Sequence, residues 1–288
     1  MSAPPCALCG ARSWAAHLDL APAGHVGRRI ARCAACGLLA LEPRPDPAEL
    51  AAAYGPGYEP HWPPPEAEPS PLRRWLRRRH HALRRRVLAR LAPGGALLDL
   101  GCGSGSFLRE LRRDPRWRGV GCDLSRAALA QAAGQGLPVW LGDLTAARGP
   151  LDAATLWEVL EHLPDPLAAL RELRRLLRPG GLLLLSTPNA ASLQAAAWGP
   201  WWAGWDPPRH LHLFTPRTLA RALVAAGFAP GPRLALPLER YYAVESARRR
   251  LGGRRLPYAA GLLAWPLLRL ADRAPAASGL VLAARAGG

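Results

Sequence analysis

The segment from residue 97 to residue 108 limits the fold of this chain more than any other part of it. Leu97, Leu98 and Leu100 are typical of a buried parallel strand. The apolar stripe that begins at Phe107 predicts a helix. Three alternating glycines form the turn between them: Gly101, Gly103 and Gly105. Glycine adopts positive φ easily and lets a ligand lie against backbone N–H groups near a helix N-terminus. The segment therefore predicts a strand, turn and helix that cradle a nucleoside-bearing cofactor.

Three acidic residues lie at the ends of predicted strands. Asp99 comes two residues before the first glycine and suits the ammonium of an amino-acid group. Asp123 ends the next predicted strand, where it can accept hydrogen bonds from ribose hydroxyls. Asp143 ends a third strand, where an adenine ring should lie. A dinucleotide fingerprint needs its third glycine at Ser106, so the spacing argues against NAD or FAD.

The order of these motifs resembles the class I S-adenosylmethionine-dependent methyltransferases, from about residue 90 to residue 285. The resemblance includes the segment 156–162 and the Arg-Pro-Gly-Gly turn at 178–181. It implies an α/β fold: a Rossmann-like, seven-stranded sheet with helices on both faces. It also implies S-adenosylmethionine as cofactor, bound by Asp99, Gly101, Gly103, Gly105, Asp123, Leu124, Asp143, Leu144, Trp157 and Glu158.

Two C-x-x-C-G motifs near the N-terminus predict a small zinc ribbon within residues 1–42. Their cysteines are Cys6, Cys9, Cys33 and Cys36. Each pair can place two thiolates on one side of a tight turn, and two pairs complete a tetrahedral site with four sulfur ligands. Four protein ligands leave no open position, so the zinc is expected to be structural. The alternative is a pair of redox dithiols, which normally lie in a βαβ context.

The rest of the chain divides into a proline-rich linker at 43–71 and a methyltransferase domain at 72–288. Ten prolines between 42 and 71 argue against regular helix in the linker. Late strands are predicted at 233–237 and 279–284, as an antiparallel pair at one sheet edge. Between them lies a basic and apolar insertion at about 239–277.

The formal net charge of +17 comes from arginine alone, because the chain has no lysine. An amphipathic helix is predicted at 72–91, and its arginines are read mainly as solvated, with phosphate binding as the alternative. The insertion carries basic clusters at 248–250 and 254–255, followed by an apolar stretch at 256–270. That stretch is too short to span a bilayer. It is interpreted either as a cap on the active site or as an interfacial anchor on an anionic membrane.

The acceptor side is expected to include Glu158, Glu161 and His162, whose spacing places them together if that turn is helical. This sequence is similar to the ubiquinone-pathway O-methyltransferases, in which a divalent ion accompanies such a cluster. A site for Mg²⁺ is left open here and is not predicted, because short spacing alone seldom identifies one.

His162 and His210 are the catalytic candidates. His210 lies in the segment 205–214, which resembles a subfamily of zinc-knuckle methyltransferases linked to polysaccharide, secondary-metabolite or quinone-like pathways. It is a candidate general base or acceptor-orienting group; the alternative is that it caps the next helix. Four tryptophans are read either as an acceptor wall or as core: Trp198, Trp201, Trp202 and Trp205.

The resulting hypothesis is methyl transfer from S-adenosylmethionine to a small-molecule or lipid-linked acceptor, with oxygen as the expected acceptor atom. An RNA methyltransferase is the first alternative, and nucleic acid is the less favoured partner because no aromatic recognition surface is found. A non-catalytic binding protein with this fold is the second. The first ten residues lack the apolar core of a signal peptide, which favours a cytoplasmic protein, with peripheral contact at the inner membrane face as the alternative.

Overall fold

The computed structural model describes residues 4–54, 68–234, 236, 239–251 and 277–287. Its strands are β1 (Trp14–Asp19), β2 (Arg29–Cys33), β3 (Leu39–Glu42), β4 (Gly95–Leu100), β5 (Trp117–Asp123), β6 (Val139–Leu141), β7 (Leu151–Trp157), β8 (Leu177–Pro188), β9 (His212–Leu213), β10 (Phe228–Arg233) and β11 (Gly279–Ala286). Its α-helices are α1 (Pro47–Ala53), α2 (Pro71–Leu91), α3 (Ser106–Leu111), α4 (Arg126–Gly134), α5 (Pro166–Leu176), α6 (Leu193–Trp198), α7 (Pro216–Ala225) and α8 (Glu239–Arg250).

The larger sheet has seven strands in the order β10-β11-β8-β7-β4-β5-β6. Strands β4 to β8 pair in parallel, whereas β11 is antiparallel to both β8 and β10. The chain winds outward from β4 to β6 and then continues on the other side with β7. This reversal leaves a crevice at the carboxyl ends of β4 and β7, where ligands bind in open α/β sheets. The predicted seven-stranded Rossmann-like fold is confirmed.

Both faces of this sheet are buried, which explains why its strands are rich in leucine and alanine. In β8, Leu183 and Leu185 belong to an apolar cluster with residues of α5 and α7. Leu182 and Leu184 belong to a second cluster on the other face, with residues of α2, α3 and α4. Successive side chains of a strand point to opposite faces, so one leucine run supplies both halves of the core.

The smaller sheet has the order β1-β2-β3-β9, with antiparallel pairing throughout. Its first three strands come from the N-terminal module, and its fourth comes from residues 212–213. Leu39 lies opposite Leu213, and Ala40 lies opposite His212. Residues far apart in sequence therefore complete one sheet.

The proline-rich linker contains a helix, so the prediction of no regular helix there was wrong for residues 47–53. Pro47 occupies the first turn of α1, where a backbone N–H has no partner within the helix and its loss costs nothing. Asp46 caps this helix by accepting a hydrogen bond from the N–H of Glu49 at 2.8 Å. Local capping chemistry explains the difference.

The late strand predicted at 233–237 is displaced toward the N-terminus, since β10 ends at Arg233.

Helix α2 forms where it was predicted, but Leu72 and Trp75 of its expected apolar face are exposed, Trp75 by 53%. Arg248–Arg250 end α8. The second basic cluster and the apolar stretch at 256–270 lie outside the described residues. Within the described part, no helix combines the length and apolar character needed to cross a membrane.

Candidate cofactor and acceptor site

The glycine turn follows β4 and combines positive φ with close packing. The φ values of Gly101, Gly103 and Gly105 are 69°, 54° and 74°. A Cβ at Gly101 would lie 2.5 Å from Val159 Cγ2, and one at Gly105 would lie 2.3 Å from Leu137 Cδ1. A Cβ at Gly103 would meet nothing within 4 Å. The outer two glycines are therefore required by packing, whereas Gly103 borders open space in which a ligand fits.

Asp123 joins this turn to the end of β5. Its carboxylate accepts hydrogen bonds from the N–H of Gly103 and the N–H of Ser125, both at 2.8 Å. Each carboxylate oxygen has a second lone pair, so Asp123 retains acceptor capacity for ribose hydroxyls. The adjacent Leu124 is 76% exposed. An exposed leucine beside a ribose acceptor suits contact with a flat base.

Asp143 and Leu144 follow β6, in line with the sequence prediction of an adenine-binding end. Asp143 caps the 3-10 helix Leu144–Ala146 by accepting from the N–H of Thr145 at 2.9 Å and from its hydroxyl at 2.6 Å. The Thr145 hydroxyl bond is the main cause that lowers the pKa of Asp143. Asp143 is exposed and Leu144 is buried.

Asp99 is buried beneath the turn rather than at its surface. The Thr155 hydroxyl donates to its Oδ1 at 2.6 Å. Burial raises the pKa of Asp99 to about 7, and the Thr155 bond opposes that shift. An ammonium group near this carboxyl would favour its ionised form.

Arg84 is a buried cation that the sequence interpretation placed among solvated arginines. Its guanidinium lies over the Trp157 ring, 4.4 Å from the centroid, and Trp157 packs edge-on against Phe107. Burial lowers the pKa of Arg84 to about 10, and the nearby carboxyl groups of Glu158 and Asp99 oppose that shift. Its Nε has no hydrogen-bond partner among the described residues.

The position of Arg84 could have been found from spacing. It lies four residues before the buried Leu88 and therefore on the inward face of α2. A buried guanidinium with an unsatisfied donor beside a glycine turn suits an anionic ligand group such as a carboxylate.

Glu158 follows β7 directly and has a φ of 58°, a conformation that a residue other than glycine rarely adopts. Its N–H donates to the Ser186 carbonyl at 3.0 Å. Its Oε2 accepts from the Tyr242 hydroxyl of α8 at 2.8 Å. Burial raises the pKa of Glu158. Glu158 therefore connects the cofactor edge of the sheet to the inserted helix.

A second cluster contains Glu161, His162 and His210, whose ligand atoms all lie within 4.8 Å of one another. Glu161 is 0% exposed. The Thr187 hydroxyl donates to its Oε2 at 2.9 Å, while its Oε1 has no hydrogen-bond partner in the described part of the chain. Burial raises the pKa of Glu161 well above its usual value.

Backbone carbonyls contact one ring nitrogen of each histidine. His210 Nδ1 lies 2.8 Å from the Gly204 carbonyl, and His162 Nδ1 lies 3.1 Å from the Arg209 carbonyl. Since a carbonyl only accepts, the His210 contact assigns the proton of that ring to Nδ1 and leaves the Nε2 lone pair available. Tyr54, at the end of α1, contacts His162 Nδ1 at 2.9 Å. The linker therefore contributes to the acceptor side.

Burial keeps both rings neutral near pH 7. It lowers the pKa of His210 to about 4 and that of His162 to about 3. His210 Nε2 lies 3.9 Å from Asp206 Oδ2 and 4.0 Å from Glu161 Oε1. Asp206 is itself paired with Arg209 at 2.8 Å. A neutral imidazole beside a carboxylate can accept a proton and stabilise the resulting charge.

The three residues whose spacing left a divalent ion open, Glu158, Glu161 and His162, do not all lie together. Glu158 pairs with Tyr242 instead, and His210 takes the place of Glu158 beside Glu161 and His162.

The four N-terminal cysteines converge, with 3.5 Å between the sulfurs of Cys6 and Cys36 and 3.6 Å between those of Cys9 and Cys33. All four are free thiols. This donor set fits a tetrahedral zinc ion, which accepts four thiolates.

The tryptophan cluster serves mainly as core. Trp202 and Trp205 are buried, with ring centroids 4.8 Å apart, and Trp202 also packs on Tyr242 at 5.6 Å. Trp201 lies under the guanidinium of Arg250 at 4.6 Å. These rings attach α8 to the acceptor side and exclude water from it.

A doubly wound sheet with a glycine turn and acidic strand ends at its crevice defines a Rossmann-like protein that binds a nucleoside cofactor. The family described as "Methyltransferase domain" matches residues 72–230, more than half of the chain, and the chain belongs to that family. The resemblance to class I S-adenosylmethionine-dependent methyltransferases is confirmed.

Two curated relatives carry related names. Over 113 residues the chain is 39% identical to the ubiquinone biosynthesis O-methyltransferase of Xanthomonas axonopodis pv. citri, covering 36% of this chain and 47% of the relative. Over 142 residues it is 39% identical to the malonyl-acyl-carrier-protein O-methyltransferase of Serratia marcescens, covering 46% and 53%. The chain spans about half the length of these two relatives.

Solved structures show the same fold. The (4+2)-cyclase SpnF superposes with a TM-score of 0.51 at 23% identity, covering 72% of this chain and 80% of that one. A structure from Galdieria sulphuraria, described as a sarcosine dimethylglycine methyltransferase, superposes with a TM-score of 0.51 at 15% identity, covering 75% and 87%. At these identities the similarity supports the fold alone.

Proposed function

We propose that this protein transfers the methyl group of S-adenosylmethionine to an oxygen atom of a small-molecule or lipid-linked acceptor. The observation that carries the proposal is the buried His210, whose Nε2 lies 3.9 Å from Asp206 Oδ2 in the loop that precedes β9. A base is needed when the acceptor is protonated, as a hydroxyl is. The names of the two curated O-methyltransferases support oxygen as the acceptor atom.

The cofactor side has a residue for each part of S-adenosylmethionine. Arg84 suits the methionine carboxylate, and Asp99 suits the ammonium from beneath the turn. Asp123 suits the ribose hydroxyls, while Leu124 and Asp143 suit the adenine ring. When bound, the cofactor supplies an activated methyl group on a sulfonium. The glycine turn and Trp157 then hold the reacting groups in place.

The residues on the acceptor side would transfer one proton. His210 Nε2 would take the hydroxyl proton while the acceptor oxygen bonds to the methyl carbon and the carbon–sulfur bond breaks, with S-adenosylhomocysteine as the leaving group. The Nδ1–H bond to the Gly204 carbonyl keeps the ring in the tautomer that can do so. Asp206 stabilises the imidazolium at 3.9 Å. His162 packs edge-on against His210, 4.6 Å between ring centroids, and fixes its orientation.

The test is a methyl-transfer assay with radiolabelled S-adenosylmethionine and a panel of phenols, catechols and carboxylic acids. We expect transfer to at least one of them, and a loss of about 100-fold in kcat for His210→Gln with cofactor affinity kept. Arg217→Ala, on the exposed side of α7, is the matched control. An unchanged kcat in His210→Gln would overturn the role of the base.

The four N-terminal cysteines are proposed to hold one structural zinc ion per chain. The converging thiols and the knuckle geometry support this, and a closed set of four ligands makes the metal resistant to mild chelation. Metal analysis of the purified protein should give one zinc per chain, falling in Cys33→Ser. Absence of zinc, with thiols that cycle reversibly with an oxidant, would favour the redox alternative.

A divalent ion on Glu161, His162 and His210 is a second candidate for the acceptor side, favoured by Glu161 Oε1, which has no hydrogen-bond partner among the described residues. Carbonyl-bound Nδ1 atoms are also the usual support of histidine ligands. If such an ion acts, chelation abolishes methyl transfer and one added metal restores it. Methyl transfer that continues after chelation would exclude a catalytic metal, and His210 would then act as a base without one.

The proposed partner of this protein is an anionic membrane surface on the cytoplasmic side. Structured RNA is the alternative partner. The exposed face of α2 supports this, because Leu72 and Trp75 lie beside exposed Arg78 and Arg79. Apolar anchors next to arginine favour reversible, salt-sensitive adsorption. Cosedimentation with anionic liposomes should fall in Trp75→Ala. Tight binding to structured RNA without liposome binding would favour the RNA methyltransferase hypothesis.

A further inference from the structure

The N-terminal module and the acceptor-side histidine share one sheet. Strand β3 begins three residues after Cys36, and its partner β9 begins two residues after His210. Beyond the paired residues, the N–H of Leu41 donates to the Leu211 carbonyl at 3.2 Å. A cysteine knuckle is thereby connected to His210 by a few residues of hydrogen-bonded strand.

Leu211, the neighbour of His210, is held from both sides. Its carbonyl accepts from Leu41 of the module, and its N–H donates to the Glu161 carbonyl at 2.9 Å. The first bond comes from β3, and the second comes from the 3-10 helix that carries His162. These two backbone hydrogen bonds fix the position of Leu211, and therefore that of the adjacent His210, between β3 and the 3-10 helix.

The cysteine knuckle also packs directly on the elements that flank β9. Arg221 of α7 donates to the Cys36 carbonyl at 3.3 Å. Leu38, which follows the knuckle, is fully buried in the same apolar cluster as Phe214 and Leu219. Movement of the knuckle would therefore be transmitted to β9 and α7 through packed side chains.

A second connection runs through the linker. Arg28 of the module forms an ion pair with Glu49 of α1. Tyr54, at the end of that helix, contacts His162 Nδ1 at 2.9 Å. The first 54 residues therefore contact His162 directly and His210 through its neighbour Leu211.

We propose that the N-terminal cysteine module is part of the acceptor site: while the four cysteines hold their metal, the β3–β9 pair and α1 position His210 and His162. Leu20, Ile30, Leu39 and Leu41 of the module are buried in an apolar cluster shared with the sheet domain, and metal binding at the four cysteines adds to the module's folding free energy. Without the metal, β3 loosens and the loop at 206–214 loses one side of its support. This inference rests on the proposed function, in which His210 is the base.

The test is hydrogen exchange followed by mass spectrometry on the full chain, comparing wild type with Cys9→Ser. Cys9 is exposed, so its substitution removes a metal ligand with little loss of packing. We expect amides in 206–214 to exchange at least about tenfold faster, because local opening becomes more favourable. Amides in 97–108 and the affinity for S-adenosylhomocysteine should stay within about twofold of wild type.

Arg29→Ala is the matched control, because it breaks the exposed pair with Glu42 in the same module and spares the cysteines. Its exchange in 206–214 should equal that of wild type. Faster exchange confined to residues 4–42 in Cys9→Ser would overturn the proposal. If Cys9→Ser does not fold, metal removal from wild type with a thiol reagent and chelator replaces it, with the same expected pattern.

Turnover gives a separate readout. With a phenolic acceptor from the methyl-transfer panel, Cys9→Ser should lower kcat and leave the KM for S-adenosylmethionine unchanged. If His210→Gln keeps full activity while the exchange pattern holds, the base assignment fails and the positioning proposal stands. If His210→Gln is inactive but 206–214 stays protected without metal, the positioning proposal fails alone.

Discussion

At the residue scale, the positions of the glycine turn and of the acidic strand ends were predictable because they depend on backbone conformation. Positive φ at a turn requires glycine, and an acceptor at a strand end requires a short acidic side chain, so both leave a pattern in the sequence. Gly103 and Asp123 lie where that pattern predicted. Arg84 was missed because nothing in a run of arginines marks the one that faces inward, except its spacing from Leu88.

Arg84→Ala is expected to weaken binding of S-adenosylhomocysteine by at least about tenfold, or ~1.4 kcal/mol, because the ligand carboxylate loses its buried partner. Isothermal calorimetry on the folded variant measures this. Arg86→Ala, two residues further along α2 and on its exposed side, is the control and should bind like wild type. Equal affinity in both variants would place the carboxylate elsewhere.

Asp99 should make cofactor binding depend on pH. Burial raises the pKa of its carboxyl to about 7 in the ligand-free protein, and a bound ammonium favours the ionised form. Binding below pH 7 must therefore release a proton, so affinity should rise as pH increases from 6 to 8 and then level off. Calorimetry across this range tests it. Asp99→Asn should flatten the profile, and a wild-type profile that is already flat would contradict the assignment.

At the level of helices and strands, the parallel strands could be predicted from the sequence pattern, whereas the short elements α1 and β9 could not. The parallel strands are apolar on both faces and stand out from the sequence for that reason. Helix α1 depends on one capping aspartate, and β9 depends on pairing with β3, which lies more than 160 residues earlier. Residues His212 and Leu213 have no local reason to form a strand, so only the tertiary structure reveals it.

Leu183 in β8 provides a test of the core. Its side chain is fully buried between the sheet and α5, so Leu183→Ala should lower the free energy of unfolding by about 2–5 kcal/mol. Denaturant unfolding measures the change. Val224→Ala, on the exposed face of α7, should change stability by less than about 0.5 kcal/mol. Similar losses in both would contradict the two-cluster core.

At the scale of the whole molecule, a methyltransferase sheet is combined with an N-terminal sheet that it helps to complete. The fold class and the family were readable from motif order. The connection between the cysteine module and His210 was not, because it consists of backbone hydrogen bonds between distant segments. The proposed acceptor site leaves still less trace in the sequence, since its residues come from α1, the segment after β7 and the loop before β9.

S-adenosylmethionine is expected to bind at the glycine turn and at Asp123. Calorimetry of S-adenosylhomocysteine with folded, zinc-containing wild type and with Asp123→Ala tests it most directly. We expect low to mid micromolar affinity for wild type, on the order of −7 to −8 kcal/mol, and a loss of at least about tenfold in Asp123→Ala. No binding to the folded wild-type protein, or equal binding to both, would contradict it.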